Sequence, residues 1–419
     1  MRLRNNSGSA LALDDWKIFH LEEDATLKGA LNSVPGIGGW LAGLTLLAPA
    51  LEARADYSWN FPPPATPLAR DTLHMHNQFM IVITVLFVVV FAIMIYSMIK
   101  HRKSVGAQPA DFTGPKSRLQ WFWVLVPFAL LLYIDFILMG IPAFHAVLDM
   151  EDTKTKADMV LKVTGMQWKW QYEYPDSGIK FISTLATPRD QIANQEEKGE
   201  HYLLEVDNEV VLPAGKKVRV LLTATDVIHT WWVPQFGVKR DAIPGFLRET
   251  WVKIEQPGVY RGQCAELCGK DHGFMPVVVR AVPEPEYVAW VDKKKVELAA
   301  AAAGADKTWT KDELIAKGKE VYEKQCAVCH QANGQGLPPA FPGLTGSKIV
   351  NGPLLSPEGR LIPDSHLDRV MNGKAGTAMQ AFKNTLGDVE LAAVVTYERN
   401  ALGNAKGDMI QPAQIKSLR

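Results

Sequence analysis

Residues 264–275 read CAELCGKDHGFM, and this loop decides how the surrounding chain is interpreted. It holds two cysteines, a histidine and a methionine, all of which are side chains that bind soft metals. A disulfide between Cys264 and Cys268 leaves His272 and Met275 without a role, and a zinc site does not use methionine. Thiolate, imidazole and thioether together favour copper, and a second thiolate allows two coppers to share bridging sulfurs. The loop therefore predicts a two-copper centre.

A copper pair needs a second histidine from outside this loop. His229 lies in TDVIHTWWVP, after a predicted strand and before a proline turn. His201 is the alternative, but it lies in a charged loop that is typical of a solvated surface. We therefore expect His229 and His272 to flank the two thiols.

Short runs of alternating apolar and polar residues surround both parts of this site. Gly, Pro and Asp turns separate the runs, which is the pattern of many short strands. Such a pattern predicts a β-sandwich over residues 155–290. The clearest runs are 161–174, 217–225, 249–256 and 275–282.

Two long apolar segments precede the sandwich. Residues 78–99 and 121–144 are each long enough to cross a bilayer, which requires about 20 residues. Lysine and arginine are concentrated between them, and an excess of positive charge marks a cytoplasmic loop. The pattern predicts a transmembrane hairpin at 70–148 with both outer ends on the far side. Asp135 lies in the second segment, so we expect it to face a protein partner or a polar pathway.

An additional apolar stretch lies near the N-terminus. GWLAGLTLLAPALEARA, at 39–55, resembles a secretory signal that ends in an A-x-A cleavage site. Residues 1–55 are therefore expected to be a leader that is cleaved near Ala55, and an uncleaved interfacial or membrane segment is the alternative. In both cases we expect the C-terminal part of the chain to be exported across the membrane.

Cys326, Cys329 and His330 form the second cysteine motif, C-x-x-C-H. In c-type haem attachment the two thiols bind the vinyl groups and the histidine binds the iron. A thioredoxin-like redox pair is the alternative, but no βαβ pattern surrounds the motif. A methionine opposite the histidine raises the potential of an electron-carrying haem. Met379, in GKAGTAMQAF, is the predicted sixth ligand, and Met371 is its rival.

Helical patterns flank this second motif. KDELIAKGKEVYEKQC, at 311–326, opens behind Thr310 as a candidate N-cap, and a second helical pattern covers 387–402. Together they predict a small all-α domain over 309–402. The remaining segments are assigned as a flexible linker at 291–308 and a C-terminal tail at 403–419.

The charge balance of the chain excludes one class of partner. Lys plus Arg and Asp plus Glu both number 45, so no overall basic field favours nucleic acid. The four cysteines occur as two close pairs, so each thiol is expected to have a dedicated role.

Several of these stretches together resemble subunit II of the haem–copper cytochrome c oxidases. The pattern C-x-E-x-C-x-x-x-H-x-x-M, the upstream D-V-x-H, KRDAIPG at 239–245 and GMQWKWQYEYPD at 165–176 carry the resemblance. Residues 309–402 resemble class I cytochrome c domains, with Gly318 and Tyr322 spaced as in their first helix. The resemblance implies a multidomain chain with a two-helix transmembrane hairpin, an all-β cupredoxin sandwich and a small all-α cytochrome c domain.

The resemblance also implies ligand roles. It implies a binuclear CuA centre in which Cys264 and Cys268 bridge the coppers, while His229 and His272 each bind one. It implies a covalently bound haem c in the C-terminal domain.

The family resemblance implies roles for three further residues. The resemblance implies that Met275 and the backbone carbonyl of Glu266 are weak axial ligands, and that the Glu266 carboxylate faces a magnesium site shared with subunit I. Trp168 aligns with the tryptophan through which electrons reach CuA in the family. Alternation along one strand would put Trp168 and Trp170 on the same side. We expect Trp168 to be an exposed docking contact and Trp170 to pack inside the sandwich.

One position departs from the family pattern. The family commonly has a glutamate at the mouth of a proton channel, three residues before a W-x-x-x-P tryptophan. Counting back from Trp123 and Pro127 gives Gln120, whose amide cannot release a proton. Asp135 is the alternative acid.

The implied function is that of subunit II of a terminal respiratory cytochrome c oxidase. Electrons would pass from cytochrome c or another donor to haem c, to CuA and to haem in subunit I, where oxygen is reduced with proton translocation. The expected partners are subunits I and III, and the expected location is a bacterial inner membrane with both globular domains periplasmic. A CuA component of a nitrogen-oxide reductase and a copper-delivery or assembly protein are the alternatives.

Overall fold

The structure is a computed structural model that describes residues 60–108 and 117–419. The expected leader at 1–55 and its cleavage near Ala55 lie outside the described residues.

Two apolar helices begin the described chain, α1 (Pro67–Lys100) and α2 (Arg118–Met150), and both are long and apolar enough to cross a membrane. The Thr66 hydroxyl caps α1 by accepting a backbone N–H of the first turn. At the start of α2, Ser117 and Gln120 exchange hydrogen bonds between side chain and backbone. Large apolar side chains cover the outside of both helices. The two predicted helices of membrane-spanning length are confirmed, and Gln120 has a structural role at the second of them.

Asp135 lies within a π-helical segment of α2, Tyr133–Gly140. Its side chain is exposed on this chain. A carboxylate facing lipid is unfavourable. That a neighbouring subunit or a polar pathway meets Asp135 therefore stays a prediction.

The described chain continues into a sandwich of ten strands. The strands are β1 (Met159–Met166), β2 (Lys169–Tyr174), β3 (Ile179–Ser183), β4 (Val210–Pro213), β5 (Val218–Ala224), β6 (His229–Val233), β7 (Val238–Ala242), β8 (Arg248–Val252), β9 (Gly258–Cys264) and β10 (Pro276–Val282), with the short helix α3 (Arg189–Ile192) after β3. One sheet has the order β3-β2-β1-β5-β8 and the other β4-β10-β9-β6-β7. The β1–β5 and β4–β10 pairs are parallel. The predicted cupredoxin sandwich is confirmed.

Alternating side chains fill the space between the sheets. In β5 every second residue is buried, as the period of two in a strand requires. Trp170, Tyr172 and Trp231 are completely buried, and the Trp231 indole N–H donates to the Tyr172 hydroxyl over 3.3 Å. The prediction that Trp170 packs inside the sandwich is therefore confirmed.

The prediction of one strand over 161–174 is wrong, because this run contains two antiparallel strands, β1 and β2. Gln167 and Trp168 form a turn between β1 and β2. Because the turn interrupts the alternation, Trp168 does not share a strand face with Trp170. The expectation of an exposed indole was also wrong, since Trp168 is only 8% exposed.

The membrane hairpin and the sandwich are joined directly. Ala65 and Leu68, at the start of α1, belong to the sandwich core. The Arg70 guanidinium donates two hydrogen bonds to the Glu255 carboxylate, over 2.6 and 2.9 Å. The sandwich is therefore held at the membrane helix without a flexible stalk.

The expected flexible linker at 291–308 is largely helical. Helix α4 spans Glu284–Ala303 and covers most of that segment. Its Trp290 ring packs 5.3 Å from the Tyr174 ring, between ring centres. The alanine run lacks an apolar period, but alanine has the highest helix propensity, so it continues the helix. The flexible-linker interpretation is therefore corrected.

The last part of the chain is an all-α domain of five helices in the described residues. They are α5 (Lys311–Gln325), α6 (Ala327–His330), α7 (His366–Asn372), α8 (Asp388–Asn400) and α9 (Pro412–Ser417). Helix α5 begins at a capping box between Thr310 and Glu313, as its sequence predicts. Ile410 and Ile415 are buried in the core of this domain, so the segment 403–419 is packed rather than a free tail.

Gly318 allows α5 and α8 to cross closely. A Cβ atom at this position would lie 2.1 Å from the Ala393 carbonyl oxygen. We expect Gly318→Ala to lower the free energy of unfolding of the α domain by about 1–3 kcal/mol, as overpacked cores do. Denaturant unfolding measures this, with Gly304→Ala as the control, because a Cβ there meets only ordinary contacts at 3.5 Å. Equal stability of the two variants would contradict the close crossing.

Candidate metal centre and haem site

The two thiols of the CAELCGKDHGFM loop lie between two imidazoles. The Sγ atoms of Cys264 and Cys268 are 3.8 Å apart and both cysteines are free, whereas a disulfide needs about 2.05 Å. Cys264 Sγ lies 3.9 Å from His229 Nδ1, and Cys268 Sγ lies 3.4 Å from His272 Nδ1. The four side chains therefore run in the order imidazole, thiol, thiol, imidazole, which fits a centre of two soft metal ions.

Strand pairing brings the distant histidine to this loop. His229 is the first residue of β6 and Cys264 is the last residue of β9. The two strands are antiparallel, with Trp231 opposite Cys264, so the start of one meets the end of the other. Among the described residues, the cluster that could hold a metal contains His229, Cys264 and Cys268, with ligand atoms within 4.8 Å of one another.

The two predicted weak ligands lie beside the thiols. The Glu266 backbone oxygen is 3.3 Å from Cys264 Sγ, while the Glu266 side chain is exposed. Met275 is 1% exposed and belongs to the same core cluster as both cysteines. His201, the rejected alternative, lies in a turn outside the metal-ligand cluster.

Asp226 orients His229 from the side away from the thiols. Its Oδ1 lies 2.8 Å from His229 Nε2, and its Oδ2 accepts the Gln167 backbone N–H over 2.8 Å. A carboxylate at one ring nitrogen fixes the ring and leaves the other nitrogen for a metal. Burial alone would lower the pKa of His229, but its hydrogen bonds with Asp226 and Cys264 outweigh burial and raise it. This role is not predicted from the sequence, although the D-V-x-H pattern contains Asp226.

The thiol pair releases its two protons unequally. The hydrogen bond from Cys268 lowers the pKa of the Cys264 thiol well below its ordinary value. The same contact raises the pKa of Cys268, because a second negative charge would lie beside the first. Both thiolates can coexist only when cations lie between or beside them, which is the situation that a metal pair creates.

The C-x-x-C-H motif lines a cavity in the α domain. The cavity measures about 320 Å³, and Cys326, Cys329, His330 and Met379 all line it. His330 Nδ1 lies 2.8 Å from the Pro342 carbonyl oxygen, to which an N–H at this position donates. That bond holds the ring and leaves Nε2 as the metal-binding atom. The donor set and the cavity therefore fit a covalently bound haem.

The two candidate methionines differ in position. Met379 is half-buried and lines the cavity, whereas Met371 does not line it. Met371 is completely buried within α7, in the apolar core of the domain. The geometry therefore supports Met379 as the sixth ligand.

A buried histidine–glutamate pair also lines this cavity. His366 Nε2 lies 2.5 Å from Glu398 Oε2, and both side chains are about 95% buried. His366 Nδ1 has no hydrogen-bond partner among the described residues. The pair is not predictable from the sequence, because 32 residues separate its members and no local motif marks them.

Three known families match successive parts of the chain. Residues 55–144 match "Cytochrome C oxidase subunit II, transmembrane domain", and residues 159–282 match "Cytochrome C oxidase subunit II, periplasmic domain". Residues 313–397 match "Cytochrome C oxidase, cbb3-type, subunit III".

Individual relatives agree with these matches. The probable cytochrome c oxidase subunit 2 of Rickettsia bellii is 34% identical over 257 residues, which cover 61% of this chain and 91% of the relative. The chain belongs to the cytochrome c oxidase subunit 2 family. The subunit 2 of Cereibacter sphaeroides is 36% identical over 249 residues, 56% of this chain and 80% of the relative. A crystal structure of the subunit II periplasmic domain of Bradyrhizobium japonicum is 47% identical and covers 34% of this chain and 96% of that chain, with a TM-score of 0.31.

Membership of the subunit 2 family defines the cofactor classes. The subunit II periplasmic domain implies CuA copper, and the C-terminal cytochrome domain implies haem c. Both classes are those that the two cysteine motifs predict. The chain is therefore a membrane-anchored part of a haem–copper oxidase, with a cytochrome c domain fused behind its copper domain.

The copper domain (155–290) and the haem domain (309–419) meet at the β1–β2 turn. Gln167 and Lys169 line the haem cavity together with side chains of the haem domain. Lys169 Nζ donates to Gln325 Oε1 over 2.9 Å and lies 4.5 Å from the centre of the Phe382 ring. Burial lowers the pKa of Lys169 to about 8. Nothing in the sequence marks this lysine as an interdomain contact.

Trp168 lies between these contacts and the copper loop. Its indole N–H donates to the Cys268 carbonyl oxygen over 3.1 Å, and the Gln167 side-chain amide donates to the same oxygen over 2.8 Å. Gly269, which has a φ of +117°, lies against the Trp168 ring. A Cβ atom on Gly269 would be 3.2 Å from Trp168 Cζ2. Trp168 therefore packs on the loop that carries the thiols.

Proposed function

We propose that the chain is the electron-accepting subunit of a terminal respiratory oxidase. Cytochrome c or another external donor delivers electrons to haem c, and they continue through CuA to haem in subunit I. There oxygen is reduced to water with proton translocation. Bound haem c and CuA supply one-electron redox chemistry, and the protein supplies their ligands and their relative position.

The observation that carries this proposal is that the β1–β2 turn forms a wall shared by the haem cavity and the copper loop. Gln167 and Lys169 face the haem cavity, and Trp168 between them is hydrogen-bonded to the Cys268 carbonyl. The two sites are thus separated by one short turn of the copper domain. This arrangement supports electron transfer from haem c to CuA within the chain.

The ligand assignments at CuA are part of the proposal. Cys264 and Cys268 bridge the coppers, and His229 and His272 bind one each. The thiol and imidazole contacts of 3.4 to 3.9 Å support this set. The buried Met275 and the backbone carbonyl of Glu266 complete it as weak ligands.

The haem assignments are proposed in the same way. Cys326 and Cys329 form the thioether bonds, His330 is the proximal ligand and Met379 is the distal ligand. Their common position around one cavity supports the set.

The proposal extends to the surroundings of the chain. The exposed Glu266 carboxylate faces a magnesium site shared with subunit I. Subunits I and III are the membrane partners, in a bacterial inner membrane that the chain crosses with α1 and α2. Both globular domains lie on the periplasmic side. The proposed domain limits are 70–148, 155–290 and 309–402, and the packing of the haem domain continues to residue 419.

The order of transfer is tested in the purified oxidase complex. Removing the haem attachment with Cys326→Ala and Cys329→Ala should stop the reduction of CuA by the external donor, because haem c receives the electrons first. The absorption bands of haem c and CuA are followed after rapid mixing with reduced donor. Reduction of CuA at the wild-type rate in this variant would contradict the proposal.

Trp168 is the proposed contact through which the electron reaches CuA. We expect Trp168→Gln to slow haem-to-CuA transfer by about tenfold or more, because the variant loses a hydrogen bond and large aromatic contact at the shared wall. The spectra and potentials of both centres should be unchanged.

Trp251→Gln is the matched control for this variant. The Trp251 indole N–H also donates to a backbone oxygen, that of Asp149, over 2.7 Å. This contact joins β8 to the end of α2 and does not involve the copper loop. We expect wild-type transfer in Trp251→Gln. Wild-type transfer in both variants would remove Trp168 from the route.

A further inference from the structure

We propose that Gln380 is a positioning residue that fastens the haem domain to the copper domain and links the Met379 loop to the copper ligand His229. The inference rests on the proposed function and names a second connection between the centres, which runs through Asp226 to His229. It concerns side chains to which the family comparison assigns no role.

Gln380 makes two hydrogen bonds across the domain interface. Its Nε2 donates to the Gln167 backbone oxygen over 2.7 Å and to Asp226 Oδ2 over 3.2 Å. These residues are 213 and 154 positions away along the chain. Gln380 is half-buried and lines the haem cavity. It therefore belongs to the haem site and to the interface at once.

Asp226 continues this connection to the copper site. Its other oxygen, Oδ1, lies 2.8 Å from His229 Nε2, and the opposite nitrogen of that ring faces Cys264. Met379 is covalently next to Gln380 in the chain. The path from the proposed iron ligand to the proposed copper ligand thus contains one peptide linkage and two hydrogen bonds.

The path through Gln380 ends at a different copper ligand from the path through Trp168. Trp168 is bonded to the Cys268 carbonyl, on the side of the centre that faces His272. Gln380 and Asp226 lead to His229, on the side of Cys264. The interface therefore holds both halves of the ligand set in position relative to the haem cavity.

The chemistry of the interface requires a hydrogen-bond donor at position 380. Both partners of Nε2, a carbonyl and a carboxylate, are acceptors. The side-chain oxygen Oε1 is buried and has no hydrogen-bond partner among the described residues. A carboxylate at this position would place like charge beside Asp226, whereas an ammonium group would keep a donor and an opposite charge.

This requirement gives a test in the full complex with the matched pair Gln380→Glu and Gln380→Lys. We expect Gln380→Glu to slow haem-to-CuA transfer about tenfold or more, since losing a hydrogen bond to a charged group shifts an equilibrium by about that factor. Gln380→Lys should transfer at close to the wild-type rate. A residue that served only as packing would not be rescued by lysine.

Hydrogen exchange supplies a readout that does not depend on electron transfer. Opening of the interface should raise the exchange of backbone amides at 165–170 and 378–382 about tenfold in Gln380→Glu, and not in Gln380→Lys. Gln335→Glu is the control, because that side chain is exposed and makes the same change of charge in the same domain. The haem absorption and the copper resonance signal report whether each variant is loaded.

The outcomes separate this inference from the proposed function. Wild-type transfer and wild-type exchange in Gln380→Glu would overturn the role of Gln380 and leave the electron order intact. If the wild-type complex passes no electron from haem c to CuA, the proposed function fails, and the exchange experiment still decides whether Gln380 holds the domains together. Should Gln380→Glu fail to load a cofactor, Gln380→Ala decides by exchange, because it removes the donor without adding charge.

Discussion

Cys268→Ser should abolish the two-copper centre and, with it, all electron delivery from this chain. Serine keeps the size of the side chain but is a poor ligand for soft copper, so the shared sulfur is lost. The Cys268 Sγ lies between Cys264 Sγ at 3.8 Å and His272 Nδ1 at 3.4 Å. Losing it disconnects half of the proposed ligand set.

The measurement is copper content per chain together with electron paramagnetic resonance. In the wild-type complex we expect two coppers and a signal shared by both nuclei. Cys268→Ser should retain at most one copper, with a signal confined to one nucleus, while haem c stays covalently attached. A single zinc ion in the wild-type chain, or a Cys264–Cys268 disulfide in the loaded protein, would contradict the centre.

Met275→Leu is the control that separates coordination from packing. Met275 is 1% exposed, and leucine conserves most of its volume. Because Met275 is proposed only as a weak ligand, this variant should keep both coppers with an altered spectrum. Equal copper loss in Met275→Leu and Cys268→Ser would show that the loop needs packing more than sulfur bridges.

The second large effect is expected at Met379. Met379→Ala should abolish the methionine-to-iron absorption band and lower the haem potential by on the order of 0.1 V, part of the roughly 0.8 V over which axial ligands set haem potentials. The haem should remain attached through Cys326 and Cys329. Potentiometry and absorption spectroscopy of the purified complex measure both changes.

Met371→Ala is the matched control for this variant. Met371 is completely buried in the core of the haem domain and does not line the cavity. Its removal should destabilise the domain by about 2–5 kcal/mol, as truncation of buried large side chains does. The folded fraction should keep the methionine-to-iron band. Loss of the band in Met371→Ala, with Met379→Ala unchanged, would make Met371 the ligand.

Local patterns in the sequence were enough to predict the architecture. Residues 78–99 and 121–144 are apolar over a length that is sufficient to cross a bilayer. The ligand loop at 264–275 and the C-x-x-C-H motif place their ligands a few residues apart. Because such spacings are set by covalent geometry, they are visible before folding. The hairpin, the sandwich and the α domain were predicted on this basis.

Two predictions are wrong because a local sequence pattern does not extend over the whole segment to which it is applied. Alternation was extended through 161–174, but Gln167 and Trp168 form a turn there. An exposed Trp168 is expected from its position near a strand end and its match to the family's electron-entry tryptophan, but the turn packs it on the copper loop. The lysine triplet and the alanine run at 291–308 predict a flexible linker, but high helix propensity and the packing of Trp290 make most of the segment helical.

Short motifs at 264–275 and 326–330 contain the metal and haem ligands, so the cofactors that the chain can hold are predictable from its residues alone. How the two sites meet depends on the packing of the folded domains. Gln380 and Asp226 are 154 residues apart and Lys169 and Gln325 are 156 apart, and no motif contains either pair. Contacts of this kind form only after two domains with separate cores have packed together. A polar side chain that appears ordinary in the sequence then becomes a buried, specific contact, because burial away from water requires it to find a partner.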